Sequence, residues 1–198
     1  WPAHGDVSLG QAYNLAPFYS FSGGAAEYDP SLGDAPCMPG DMALFSIYND
    51  NLGPHTERGG HPIGVEVHMT SFEYSSNNPA VNQTVFIRYQ IFNKGLSLHD
   101  VYIGLFNDFD LGGGNDDYVQ CDVHRSLSYV LNGDNNDEDY NGEVGYGPQP
   151  PAFGEVILQG PLLDADGIDN TDTLALPGYN GTGFNDGIID NERSGMSY

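Results

Sequence analysis

The sequence predicts an all-β protein, an antiparallel β-sandwich or jelly roll with long acidic loops. Three observations predict it. Residues 63–74 and 81–93 alternate with the period of two that a half-buried strand requires. In the first, Val65, Val67 and Met69 oppose Glu66, His68 and Thr70; in the second, Val85, Ile87, Tyr89 and Ile91 share a face. Glycine (27) and proline (13) punctuate the chain with turns, and no apolar repeat of helical period runs beyond about two turns.

Taken in order, residues 1–40 read as an extended arm with short aromatic clusters (Phe18, Tyr19, Phe21), packing on the domain or on a neighbour. Residues 43–48 form the first strand, closed by the turn-forming run 49–54. Strands 63–74 and 81–93 follow, the second broken by Asn93-Lys94-Gly95. Residues 101–109 give the next strand and run into an acidic loop, 108–117. Residues 126–131 give another, before the polar run 132–142; residues 155–158 are a short strand, and beyond Gly160 the chain reads mostly as loop. Residues 41–198 are therefore expected to form one sandwich domain with its acidic loops at an end, where binding usually sits.

The chain of 198 residues is 39% hydrophobic with 13 Tyr and 10 Phe, which suits a packed core rather than a disordered acidic tail. Charge says more. Asp and Glu number 28 against 5 Lys and Arg, a formal net charge of -23. Such a surface repels nucleic acid and anionic membrane, which need a basic footprint. It also repels itself, and bound divalent cations relieve that; the plainer alternative is an acidic surface that only confers solubility. No stretch approaches the ~20 apolar residues of a membrane span, so no membrane insertion is expected. Trp1-Pro2-Ala3-His4 is neither basic nor followed by an apolar run, so the numbering reads as starting at a mature or trimmed end.

Oxygen ligands concentrate in four segments. One holds Asp108, Asp110, Asp116, Asp117 and Asp122; the second is 134–139; the third contains Asp164, Asp166, Asp169 and Asp172; the last contains Asp186, Asp190 and Glu192. Calcium takes six to eight oxygens from closely spaced carboxylates, amides and carbonyls, with a glycine where the loop turns sharply. Asp164-x-Asp166-Gly opens such a loop, and Asp186-Gly-x-x-Asp190-x-Glu192 is a shorter version. Neither is a complete EF-hand. These two DG loops are the first candidates for Ca²⁺ and the Asp108–Asp122 cluster the next, whereas 134–139 is equally well read as turn-making.

Catalytic signatures are missing from the sequence: no GxSxG, no HExxH, and no frame that singles out one carboxylate pair for glycoside cleavage. The reading is a protein that is not an enzyme. His55, His61 and His68 match no zinc spacing and read as surface or loop histidines. Cys37 and Cys121 are too few for a four-cysteine site; in an exported protein they read as one disulfide pinning the N-terminal loop to the central sheet, with two free thiols as the alternative.

Several motifs recur in a familiar order: Pro39-Gly40-Asp41, Tyr48-Asn49-Asp50, His55-Thr56-Glu57, the run 62–67, Tyr89-Gln90-Ile91-Phe92-Asn93, Asp108-Phe109-Asp110-Leu111-Gly112, the DDYVQCD element at 116–122, and 129–134. Together they resemble the N-terminal region of large, uncharacterised exported surface proteins of Bacteroidota associated with type IX secretion, from about Pro30 to Glu192. The resemblance implies an extracellular or cell-surface location and a β-rich scaffold, and no reaction. The chain departs from the pattern at 21–30, which lacks an Asp-rich loop, at Val130, where a second cysteine is usual, and at Cys37, which is gained. Glycosylation signals accompany that location: Asn82 and Asn180 head N-x-Thr sequons, and Asp172-Thr173-Leu174 looks like the short Bacteroidota O-glycosylation motif at Thr173. The functional expectation is a calcium-stabilised structural or adhesive protein that associates with itself or with other surface components or glycans. It is a candidate subunit of a surface layer or filament. The alternative is a carbohydrate-binding or glycoside-cleaving module.

Overall fold

A computed structural model describes residues 16–21, 28–51, 55–56, 59–163, 165–171 and 181–196. The all-β class holds: every sheet is antiparallel, and the described helical pieces are three or four residues long. The chain forms two compact units, 1–102 and 103–198.

The first unit is built on a meander of β3 (Met42–Asn49), β4 (Val65–Glu73) and β5 (Phe86–Asn93), with β4 in the centre. The expected strands at 43–48 and 63–74 are present with slightly different ends. The register places Phe45 opposite Thr70 and Phe72 opposite Phe86. Side chains directly opposite one another share a face, and Phe72 stacks on Phe86 at 5.4 Å between ring centroids. The other face carries Leu44, Tyr48, Ile87, Tyr89 and Ile91, all exposed. A short ribbon of β1 (Phe18–Tyr19) and β2 (Ala35–Pro36) precedes the meander. The buried Asp34 ties it down by accepting from the amides of Phe21 (2.9 Å) and Asp29 (3.0 Å).

Two strand expectations fail in this region. The strand at 81–93 begins only at Phe86, because Asn78 caps a helical turn, α1 (Pro79–Asn82), with Pro79 in its first turn. Residues 101–109 form no strand despite their apolar alternation. Alternation reports that side chains suit a pleated surface; it does not supply a free strand edge.

The second unit is built on a sheet of order β10-β7-β6: β6 (Asp117–Asp122), β7 (Leu127–Asn132) and β10 (Ala152–Val156). β6 arises where an acidic loop was expected to end, and β10 starts three residues before the expected 155–158 strand. Asp122 caps the 3-10 turn between β6 and β7, and Ser126 closes it at φ 51°. Phe109 packs on Phe153 at 4.3 Å, bringing the chain before β6 onto the Val130 face of the sheet, where Val130 is buried. A ribbon of β8 (Asn136–Asp137) and β9 (Gly147–Pro148) follows β7. The last segment is held by single bridges from Arg193 to Leu162 and Thr182.

Cys37 and Cys121 are both free thiols, which corrects the expected disulfide. Cys37 belongs to the first unit and Cys121 to an exposed position on β6 in the second. The Cys37 thiol instead lies against the Tyr19 hydroxyl, and that hydrogen bond raises the phenol above its ordinary value.

Candidate cation-binding site

The two DG loops lie against each other, and their hydrogen bonds are reciprocal. In each, the aspartate before the glycine closes an Asx turn: Asp166 Oδ1 accepts from the Ile168 amide and Asp186 Oδ1 from the Ile188 amide, both at 2.9 Å. The glycines between them, Gly167 and Gly187, sit at φ 79° and 87°, a left-handed conformation that costs other residues about 1–2 kcal/mol. Each freed glycine amide is then bonded by the opposite loop. Gly167 donates to Asp190 Oδ1 (2.8 Å), and Gly187 donates to Asp169 Oδ2 (2.7 Å). The Asn185 amide donates to the Asn170 carbonyl (2.9 Å).

Glu192 lies beneath this pair and is only 2% exposed. Its main chain is anchored through Leu163 (2.9 Å), and its Oε1 accepts from the Asn170 amide at 2.5 Å. In the same two loops, Asp169 Oδ1, Asn170 Oδ1 and Asn191 Oδ1 are buried without a hydrogen-bond donor. A Cβ added to Gly183 would stand 2.9 Å from Asn191 Oδ1, so the space over that oxygen exists because position 183 is glycine. No ion pair among the described residues involves Glu192, Asp169 or Asp190. Arg193, next in sequence, gives its guanidinium to the Gly160 carbonyl. The donor set is all oxygen, the carboxylates of Asp169 and Glu192 with the amide oxygens of Asn170 and Asn191, which is what a hard divalent cation takes.

The other expected ligands are spread apart. Asp164 and Asp172 lie outside the described residues, as do the glycosylation candidates Asn180 and Thr173. Asp108 and Asp110 are exposed. Asp122 pairs with Arg125, whose hydrogen bond holds the Asp122 carboxyl below the usual range. Asp116 and Asp117 remain together at the start of β6, and the Leu111 amide donates to Asp117 Oδ2 at 2.6 Å. Across 134–139 the turn-making reading holds for two carboxylates: Asp134 accepts from the Asn136 amide and Asp139 from the Gly145 amide. Asp137 is different, being 2% exposed and bonded by the amides of Gly113 and Tyr146. Among the described residues no three Asp, Glu, His or Cys side chains form a metal-holding group on their own. Any site here needs amide oxygens: Asn170 and Asn191 lie within the segments already read as rich in oxygen ligands, while Asn132 was read only as the start of a polar run.

Among the described residues the histidines form no metal-holding group. His68 packs between Phe45 and Phe92 and bonds Glu66 at 3.0 Å, while His55 bonds the Asp50 carbonyl. Asn82 is exposed at the end of α1, its Oδ1 accepting from Ser76 at 3.3 Å. No family model, curated protein or solved structure matches the chain.

Proposed function

We propose that this chain is an extracellular, calcium-stabilised structural or adhesive protein, a self-assembling subunit of a surface layer or filament. The observation that carries the reading is the pair of reciprocally bonded DG loops, which hold three donorless buried oxygens and the buried carboxylate of Glu192. Leaving buried polar atoms unsatisfied costs about 1–3 kcal/mol each, and in a chain of net charge -23 a basic side chain is scarce. Calcium supplies the missing positive charge to Asp169, Asn170, Asn191 and Glu192, with Asp164 and Asp172 flanking the same loop. Within this reading the exposed Leu44, Tyr48, Ile87, Tyr89 and Ile91 of the first unit's sheet are a face that assembly covers. The resemblance to exported Bacteroidota surface proteins supports the location.

The test is thermal unfolding of the full chain with calcium, with magnesium and with chelator, followed by electron microscopy of the calcium form. Calcium at 100 times its dissociation constant adds about 2.7 kcal/mol, a rise on the order of 10 °C for a domain of this size. An unchanged melting temperature in all three conditions would return the DG loops to ordinary turns. Monodisperse particles at every calcium concentration would remove the assembly half of the reading.

A further inference from the structure

We infer a second calcium site in the same unit, formed on one rung of the β6–β7 ladder by Asp117 and Asn132 with Asp116 beside them. Asp117 and Asn132 are direct partners across the two strands, so their side chains leave the same face of the sheet. Asp117 Oδ2 is occupied by the Leu111 amide, and its Oδ1 is buried with no donor. Asn132 is 7% exposed, and its Oδ1 is also buried with no donor.

The orientation of the Asn132 amide follows from its surroundings. Its Nδ2 faces three oxygens: Asp116 Oδ2 at 3.2 Å, the Asp134 carbonyl at 3.4 Å and the Asn136 carbonyl at 3.2 Å. Reversing the amide would set an oxygen against all three, so the donorless atom is the oxygen. Two buried oxygens on one rung therefore await a donor or a cation.

Charge decides between a water molecule and an ion. A water bridging Asp117 and Asn132 would satisfy both atoms, and it would leave the charge untouched. Asp116 and Asp117 adjoin the rung, and the buried Asp137 lies in the strand that begins four residues beyond Asn132; none of the three is in an ion pair among the described residues. The chain closes this end with its own backbone: Leu111 is buried above Asp117, and Gly113 donates to Asp137 at 3.0 Å. Carboxylate and amide oxygens, with water completing the shell, match calcium rather than a softer metal. The ion would fasten the 110–114 loop to the mouth of the hairpin, adding to the bonds that Leu111 makes to Asp117 and Gly113 to Asp137.

The experiment is calcium titration of the full chain by calorimetry, comparing wild type, Glu192→Gln, Asp117→Asn and the double variant. Asp117→Asn retains the size of the side chain and an acceptor for Leu111; Asp116→Asn provides a second variant, and circular dichroism checks that each is folded. The expected result is a binding event that survives Glu192→Gln and weakens at least tenfold in Asp117→Asn and Asp116→Asn. In chelator, Asp117→Asn should melt no lower than wild type, because one of two adjacent, partly buried negative charges has been removed. Calcium binding unchanged by both Asp117→Asn and Asp116→Asn would overturn the site and leave a bridging water. Loss of all binding in Glu192→Gln would also overturn it while upholding the DG loops. Binding lost in Asp117→Asn and intact in Glu192→Gln would uphold this site and discard the DG-loop reading.

Discussion

At the scale of single residues, the DG loops depend on a few atoms with no substitutes. Glu192 is a buried carboxylate with one backbone donor and no basic partner among the described residues. Its contribution should therefore change sign with calcium. Glu192→Gln is expected to melt at or above wild type in chelator and below wild type in saturating calcium, a crossover that paired melting curves read directly. Gly187 and Gly167 have open space where a Cβ would go, so replacing either with alanine isolates the cost of the positive φ, about 1–2 kcal/mol. Each substitution is expected to lower stability by about that amount with calcium present, as measured by denaturant unfolding. Gly183→Ala should cost more, since its Cβ would meet the Asn191 carbonyl at 2.6 Å.

At the scale of elements, the β3–β4 connection depends on one side chain. Asp50 stands just after β3, and its carboxylate accepts the amides of Ile63 (2.5 Å), Gly64 (3.2 Å) and Val65 (3.1 Å), closing a long connection at its base. Those amides, Ile63 foremost, hold the Asp50 carboxyl below the usual range. A carboxyl whose folded value is depressed stabilises fully above its unfolded value, near 3.9, and the benefit disappears as pH falls through the folded value. Wild type is therefore expected to lose protection of the Ile63–Val65 amides below about pH 4. Asp50→Asn should exchange faster at pH 6 and lose little more on acidification; hydrogen exchange across pH 2–6 checks both. The exposed face of the meander makes a separate prediction. Leu44→Arg with Ile87→Arg adds two charges to side chains that are 65% and 48% exposed. The melting temperature of the isolated chain should stay nearly constant while calcium-induced assembly, followed by light scattering, is lost.

At the scale of the whole molecule, net charge sets the conditions under which everything else operates. A chain at -23 repels itself when compact, and the ion pairs Lys94–Glu66 and Arg125–Asp122 among the described residues offset little of that. Two remedies act differently. Salt screens all charges beyond about 10 Å at 0.1 M, whereas calcium neutralises the particular carboxylates it touches. In chelator the melting temperature should climb steadily with sodium chloride; in saturating calcium the same series should be flatter. A salt response of equal slope in both conditions would mean that calcium acts only as ionic strength.

How much of this was legible in advance follows from what each signal depends on. Period-two alternation revealed β3, β4 and β5, the last begun too early, because it records a side chain's choice between two faces of one strand, which is local. The turn chemistry of Asn78-Pro79 was equally local and was outweighed by the alternation that follows it, so Val81 and Asn82 at the end of α1 were read as strand. Residues 101–109 have the right pattern and no strand, and Asp117–Asp122 has a polar pattern and is one, because hydrogen-bond partners come from distant parts of the chain. The same division runs through the site. That Asp, Asn and Gly gather in the DG loops is written in the sequence, and so is the net charge that calls for cations. Which oxygens lose their water without gaining a donor was decided only by the tertiary structure, since burial and pairing are properties of neighbours: Gly167 meets Asp190, Gly187 meets Asp169, and Asn132 comes to lie across from Asp117.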